Sequence, residues 1–142
     1  MRNVPGSAKS GNPFDRAPTQ IQLAYAAAGV APHADAQRAT YTVPAAHKAV
    51  VTSVLVSLMR MTVAAPTGLT RAYVKYTPAG GTAGTLALAF TNNLAVGIGD
   101  KSNYLAGHVM GVGDQLEIRT ADLATGGTIN YDCYVTVGEF DA

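Results

Sequence analysis

From Thr40 onward the hydrophobic positions recur every second residue, the period of a β-strand with one face turned inward. A first short strand is predicted over Thr40–Val43 and stops at Pro44. A long second strand follows over about Lys48–Val63, with Val50, Val54, Val56 and Leu58 on one face. Its other face also carries apolar groups, Val51, Leu55, Met59 and Met61, so both sides are expected to be covered. Further strands are predicted at Leu69–Thr77, around Leu86–Phe90, at Leu94–Ile98, at Tyr104–Met110, around Leu116–Arg119 and at Thr128–Val137. Between them lie turn-forming runs such as Pro66-Thr67-Gly68, Gly80-Gly81, Asn92-Asn93, Gly113-Asp114 and Gly126-Gly127. Eight strands at this spacing predict an all-β fold, an eight-stranded jelly-roll-like β-sandwich or a related Greek-key barrel.

Upstream the pattern changes. Residues 1–18 hold Pro5, Pro13 and Pro18 with Gly6 and Gly11 among small and polar groups, too little apolar surface for a core of their own. Thr19–Gly29 reads two ways. Thr19 could cap a helix that Gly29 ends, or Ile21, Leu23 and Tyr25 could alternate as a strand docked on a neighbouring subunit. Residues 30–39 read as a linker. The expected organisation is therefore an N-terminal arm over 1–39, extended or ordered on binding, and a β-sandwich domain over 40–142.

Composition bears on partners. Charged residues make up 13% of the 142, about half the ~25% common in soluble domains, while 48% are hydrophobic and Trp is absent. A chain with so few charges is expected to have much of its surface covered by other subunits. The net charge of +1 offers nucleic acid or an anionic membrane no general attraction. The first 40 residues hold four basic groups, Arg2, Lys9, Arg16 and Arg38, against Asp15 and Asp35, so a basic arm could lie on an acidic surface. The single cysteine, Cys133, alternates with Ile129, Tyr131, Val135 and Val137 and is expected to be a buried, inert thiol. The N-terminus lacks the apolar stretch of a signal peptide. No run reaches the ~20 apolar residues of a membrane-spanning helix.

Catalytic chemistry finds little to build on. His33, His47 and His108 lack zinc-ligand spacing, and Asp100, Asp114 and Asp122 sit where aspartates brace turns. A calcium site assembled from such loops is the one metal arrangement left open. Ser53 and Ser57 have no nucleophile elbow around them, and the glycine loops precede no helix that could bind phosphate. Glu117, Asp132 and Glu139 could pair as glycosidase carboxylates, but the sugar-stacking aromatics are sparse. Arg71, Tyr73, Lys75 and Tyr76 form a basic, aromatic strand, yet Tyr73 and Tyr76 should point to opposite faces, which disfavours a base-stacking platform. No catalytic residue, cofactor or enzymatic activity is expected.

The segment Tyr41-Thr42-Val43-Pro44-Ala45-Ala46-His47-Lys48-Ala49-Val50-Val51 resembles the entry to small β-modules of tailed-bacteriophage virion proteins. The C-terminal run Gly113-Asp114-Gln115-Leu116-Glu117-Ile118, a glycine hairpin and Val137-Gly138-Glu139-Phe140 is similar as well. The resemblance implies a virion component. A single module with an arm and no fibrous shaft points to a capsid decoration (cement) protein on the capsid surface, binding the major capsid protein as a homotrimer. The alternative is a receptor- or glycan-binding module at a head fibre, neck or tail. Candidate capsid or subunit contacts are Ile21, Leu23, Tyr25, Arg2, Arg16, Met59 and Met61. Deleting residues 1–39 is expected to leave the trimer folded but to weaken its attachment to the capsid.

Overall fold

A computed structural model describes residues 18–62, 69–91, 96–97 and 99–142, the side chains of 104–106 excepted. The described chain forms eight strands: β1 (Thr19–Val30), β2 (His33–Thr42), β3 (His47–Thr62), β4 (Thr70–Thr77), β5 (Gly84–Thr91), β6 (Gly99–Met110), β7 (Gln115–Asp122) and β8 (Thr128–Asp141). They make two four-stranded antiparallel sheets, β1-β8-β3-β6 and β2-β7-β4-β5. Every connection but β4–β5 crosses from one sheet to the other, and this interleaving is the jelly-roll form of the two-sheet sandwich.

The all-β sandwich was expected; two of its strands were not. Residues 19–39 do not form an arm apart from the domain. β1 pairs with β8 from Thr19↔Glu139 to Ala27↔Tyr131, and β2 pairs with β7. Neither the helix over 19–28 nor the linker over 30–39 is found, because β8 and β7 would otherwise expose an unpaired edge. The predicted strand Thr40–Val43 is the far end of β2. The predicted strand Leu94–Ile98 falls largely outside the described residues, and its Val96 and Gly97 lie in a turn.

The core between the sheets is built from the inward side of each strand. Val54, Val56 and Leu58 of β3 meet Val135 and Val137 of β8, Val74 of β4, and Leu116 and Ile118 of β7. The inward phase of β3 is not constant along its length. Pairing shifts between Val51 and Ser53, so Ala49 and Val51 point inward before the irregularity, and Val54, Val56, Leu58 and Arg60 after it. Val50, grouped in the sequence with Val54, Val56 and Leu58, is consequently on the other face from them. At the glycine of β6 that opposes Met59, Gly99, an added Cβ would stand 2.0 Å from the Leu58 carbonyl oxygen, so this crossing excludes any side chain.

Candidate interaction surfaces

Arg60, on the inward side of β3, is wholly buried and meets Asp122 at the end of β7. Its two terminal nitrogens lie 3.2 and 3.3 Å from the Asp122 carboxylate oxygens. Thr70 of β4 accepts from Arg60 at 2.9 Å and donates to Asp122 at 2.7 Å, and the Ala124 amide donates to the same carboxylate at 3.2 Å. The Arg60 carbonyl accepts from Gly97 at 2.7 Å. One cluster thus ties β3 of one sheet to β4 and β7 of the other, at the end where β3–β4, β5–β6 and β7–β8 are joined. Asp122 spends its lone pairs on four donors, so it has little capacity left for a metal or a substrate. A second interior group lies between β1 and β2. Arg38 Nε donates to Thr120 at 2.9 Å, His33 Nε2 is 2.8 Å from the same hydroxyl, and the Arg38 guanidinium stands 4.9 Å from the centre of the Tyr25 ring.

The outer face of the β2-β7-β4-β5 sheet carries a closed ionic network. Asp35 accepts from Arg71 (2.9 Å), Tyr73 (2.6 Å) and Arg119 (2.7 Å). Arg119 also donates to Glu117 at 2.6 Å, and Lys75 lies 3.7 Å from that carboxylate. Burial works against ionisation of Asp35, but the bonds from Tyr73, Arg119 and Arg71 together outweigh it and hold its carboxyl below the ordinary range. The basic strand β4 is therefore matched by carboxylates. Tyr73 points outward with Arg71, while Tyr76 points inward and reaches Asp114, as the alternation requires.

The outer face of the β1-β8-β3-β6 sheet is different. Cross-strand rows run Gln22–Thr136–Ser53, Ala24–Tyr134–Leu55–Asn103 and Ala26–Asp132–Ser57–Lys101, with Met59 beside Asn130 and Gly99. Small, uncharged side chains dominate. Asp132 and Lys101 are the charges of these rows, and Lys48 stands at the margin. Two open grooves of about 570 and 620 Å³ share Ser57 and Met59; Ala26 and Ala28 bound one, Gly99 and Lys101 the other.

At the opposite end, Asp114 fastens the corner around Pro44. Its carboxylate accepts from the Ala79 amide (2.8 Å), the Gly111 amide (2.9 Å) and the Tyr76 hydroxyl (2.8 Å). Its carbonyl takes the Val43 amide at 3.0 Å. Burial raises its pKa, and the Ala79, Tyr76 and Gly111 donors more than reverse this, leaving the carboxyl below its ordinary 3.8. A carboxyl depressed in the folded state stabilises above the unfolded value, and this contribution is lost as pH falls through the folded value. Acid unfolding should therefore steepen below about pH 4, and Asp114→Asn should flatten that dependence. Asp114→Ala should cost about 2–3 kcal/mol at pH 7. Urea midpoints at pH 7, 4 and 3 check both expectations.

The sequence-derived contacts separate into three groups. Met59 and Met61 are exposed, at 46% and 38%, on the outward side of β3. Ile21, Leu23 and Tyr25 face this chain's own core, because β1 is a sandwich strand. Arg2 and Arg16 lie outside the described residues. Neither the buried Arg60–Asp122 pair nor the separate Asp35 network was singled out by sequence reasoning, although Arg60 continues the inward apolar series of β3. Cys133 is buried, and burial pushes its thiol up to about 11, as an inert thiol requires. Among the described residues no group of three or more His, Cys, Asp or Glu side chains is placed to hold a metal ion.

The strand order defines the class of the fold, an eight-stranded jelly-roll sandwich. No family model matches the chain, and no curated protein matches it. Among solved structures it is similar to a chain of "Structure of infectious bursal disease virus Gx strain", with a TM-score of 0.43 and 15% identity over 89% of this chain and 30% of that one. A chain of "Structure of infectious bursal disease virus Gt strain" aligns with a TM-score of 0.13 and 14% identity over 87% of this chain and 39% of that one. The chain thus spans well under half the length of these viral chains.

Proposed function

We propose that the chain is a structural module of a virion, and more narrowly a capsid decoration protein that binds the outer capsid surface and bridges major capsid protein subunits. The observation that carries this reading is the contrast between the two outer faces. The Asp35 network gathers five charged groups on one face, while the other face, apart from Asp132, Lys101 and Lys48, carries small or uncharged groups and the exposed Met59. A surface of that kind suits a docked contact better than open water. The jelly roll also serves lectins and cupins, so the fold by itself does not choose a function. The similarity of the Tyr41–Val51 corner to phage virion modules supports the choice.

The action would be energetic. A molecule that binds only the assembled shell stabilises it by mass action in proportion to occupancy, and no chemistry is required. The test is to add the purified protein to undecorated shells and record copy number and the shell's melting temperature. Hundreds of copies and a raised melting temperature are expected. Met59→Glu should weaken binding about tenfold, ~1.4 kcal/mol, by placing a charge in the contact. A handful of copies per particle, or retained binding to host-surface glycans without shell binding, would replace this reading with that of a tail or fibre module.

A further inference from the structure

Among the described residues, strand β1 is an edge that lacks the usual protection. It is twelve residues long, Thr19–Val30, and contains neither a charged residue nor a proline. Its pairing with β8 runs without interruption from Thr19 to Ala27, so it is long and regular. The outward side chains Gln20, Gln22, Ala24 and Ala26 are all exposed. An antiparallel edge strand directs half of its backbone N–H and C=O groups away from its sheet, where another strand can take them.

The other three edges are guarded. β2 carries Asp35 and Arg38, and its pairing is broken twice. β6 carries Asp100 and Lys101, its pairing is broken once, and Gly107 takes a left-handed φ of 111°. β5 is uncharged, but its pairing is also interrupted, and its Phe90 amide is taken by the Asp100 carboxylate at 3.1 Å. Charges, irregularities and side-chain capping are the ordinary means of closing an edge. Over Thr19–Ala27, β1 shows none of them.

We propose that β1 pairs antiparallel with β1 of a second copy, joining two four-stranded sheets into one eight-stranded sheet across a two-fold axis. A two-fold contact sets a strand against its own reverse, so any charged residue near the axis meets its like. The uncharged β1 is free of that repulsion in every register. Pairing with β6 of another copy would instead set it against Asp100, Lys101 and a broken ladder. The alanines keep the outer face flat at the junction, and Ile21, Leu23 and Tyr25 continue the apolar layer beneath it. The inference does not depend on the virion reading, and it replaces the three-fold association implied by the sequence resemblance.

Sedimentation equilibrium of the full chain at tens of micromolar tests it. The expected mass is twice 14.6 kDa. The double variant Ala24→Lys/Ala26→Lys, at exposed positions, should sediment at 14.6 kDa with an unchanged far-ultraviolet dichroism spectrum. Thr85→Lys on the β5 edge should remain dimeric. In the unmodified chain, amide exchange along β1 should slow as concentration rises. A monomer or trimer for the unmodified chain, a dimer that survives both lysines, or β1 exchange independent of concentration would each overturn the proposal.

Discussion

Replacing Arg60 by alanine is expected to destabilise the protein by about 3–5 kcal/mol, because it strands the Asp122 carboxylate in the core. Asp122→Ala should cost a similar amount for the converse reason. The two losses should not add. Once either partner is gone the other is already unpaired, so the double variant should be less damaged than the sum of the single ones. A further step follows from the chemistry of buried pairs. Arg60→Met, Asp122→Leu and Thr70→Val together remove every charged member of the cluster and fill similar volume, and should recover much of the stability. Guanidinium unfolding of the four proteins measures this. Additive losses, or a triple variant as unstable as Arg60→Ala, would show that the cluster is not a mutually dependent unit. Either single loss is a large part of the 5–15 kcal/mol by which a domain is usually stable.

Truncation before Thr40 should abolish folding. The sequence pattern suggests an arm that folding does not need, but removing residues 1–39 deletes β1 and most of β2. It uncovers β8 along one sheet and β7 along the other, and removes Leu23, Ile21 and Tyr25 from the core. The truncated chain should lack a cooperative thermal transition and precipitate through its exposed edges. Removal of residues 1–17 alone deletes none of the pairings of the described strands and should preserve a single cooperative transition. Calorimetry of the two truncations distinguishes the cases. A cooperatively folded 40–142 fragment would mean that β1 and β2 are accessory after all.

The legible strands were those whose inward positions are filled by large aliphatic groups. β3, β4, β7 and β8 were placed close to their observed bounds because valine, leucine and isoleucine alternate in them with polar groups. β1 and β2 were missed as parts of the domain for opposite reasons. β1 has inward Ile21, Leu23 and Tyr25, but its outward alanines equally suit a helix, and a strand pattern does not say whose sheet it joins. β2 reads His33-Ala34-Asp35-Ala36-Gln37-Arg38 at its start, with hardly any large apolar group, and its pairing is broken twice. It is held by Arg38, His33 and Asp35 instead, and such polar contacts leave no periodic trace. The same limit hid the Arg60 cluster. A lone arginine in a strand reads as a solvent-facing residue even where, as here, it continues the inward series Val54, Val56 and Leu58. Asp114 was legible as a turn brace from its setting after Gly113, and the structure gives it that role.

The pairing of β1 with β8 also governs when the fold can form. Leu23 lies opposite Val135, so the first strand finds its partner only after more than a hundred further residues have been made. The β2–β7 contact waits for fewer residues, 73 from Thr42 to Gln115, and among the described strands β4–β5 is the one pairing between neighbours in the chain. A topology so weighted toward distant contacts folds slowly, because loop closure must be met before the contacts reward it. On the ribosome, sheet β1-β8-β3-β6 stays incomplete until β8 emerges, and during that interval the uncharged β1 is exposed along its whole length. Synthesis of this protein should therefore be sensitive to temperature and to nascent-chain chaperones, while the finished molecule, closed by its last strand, should unfold as a unit.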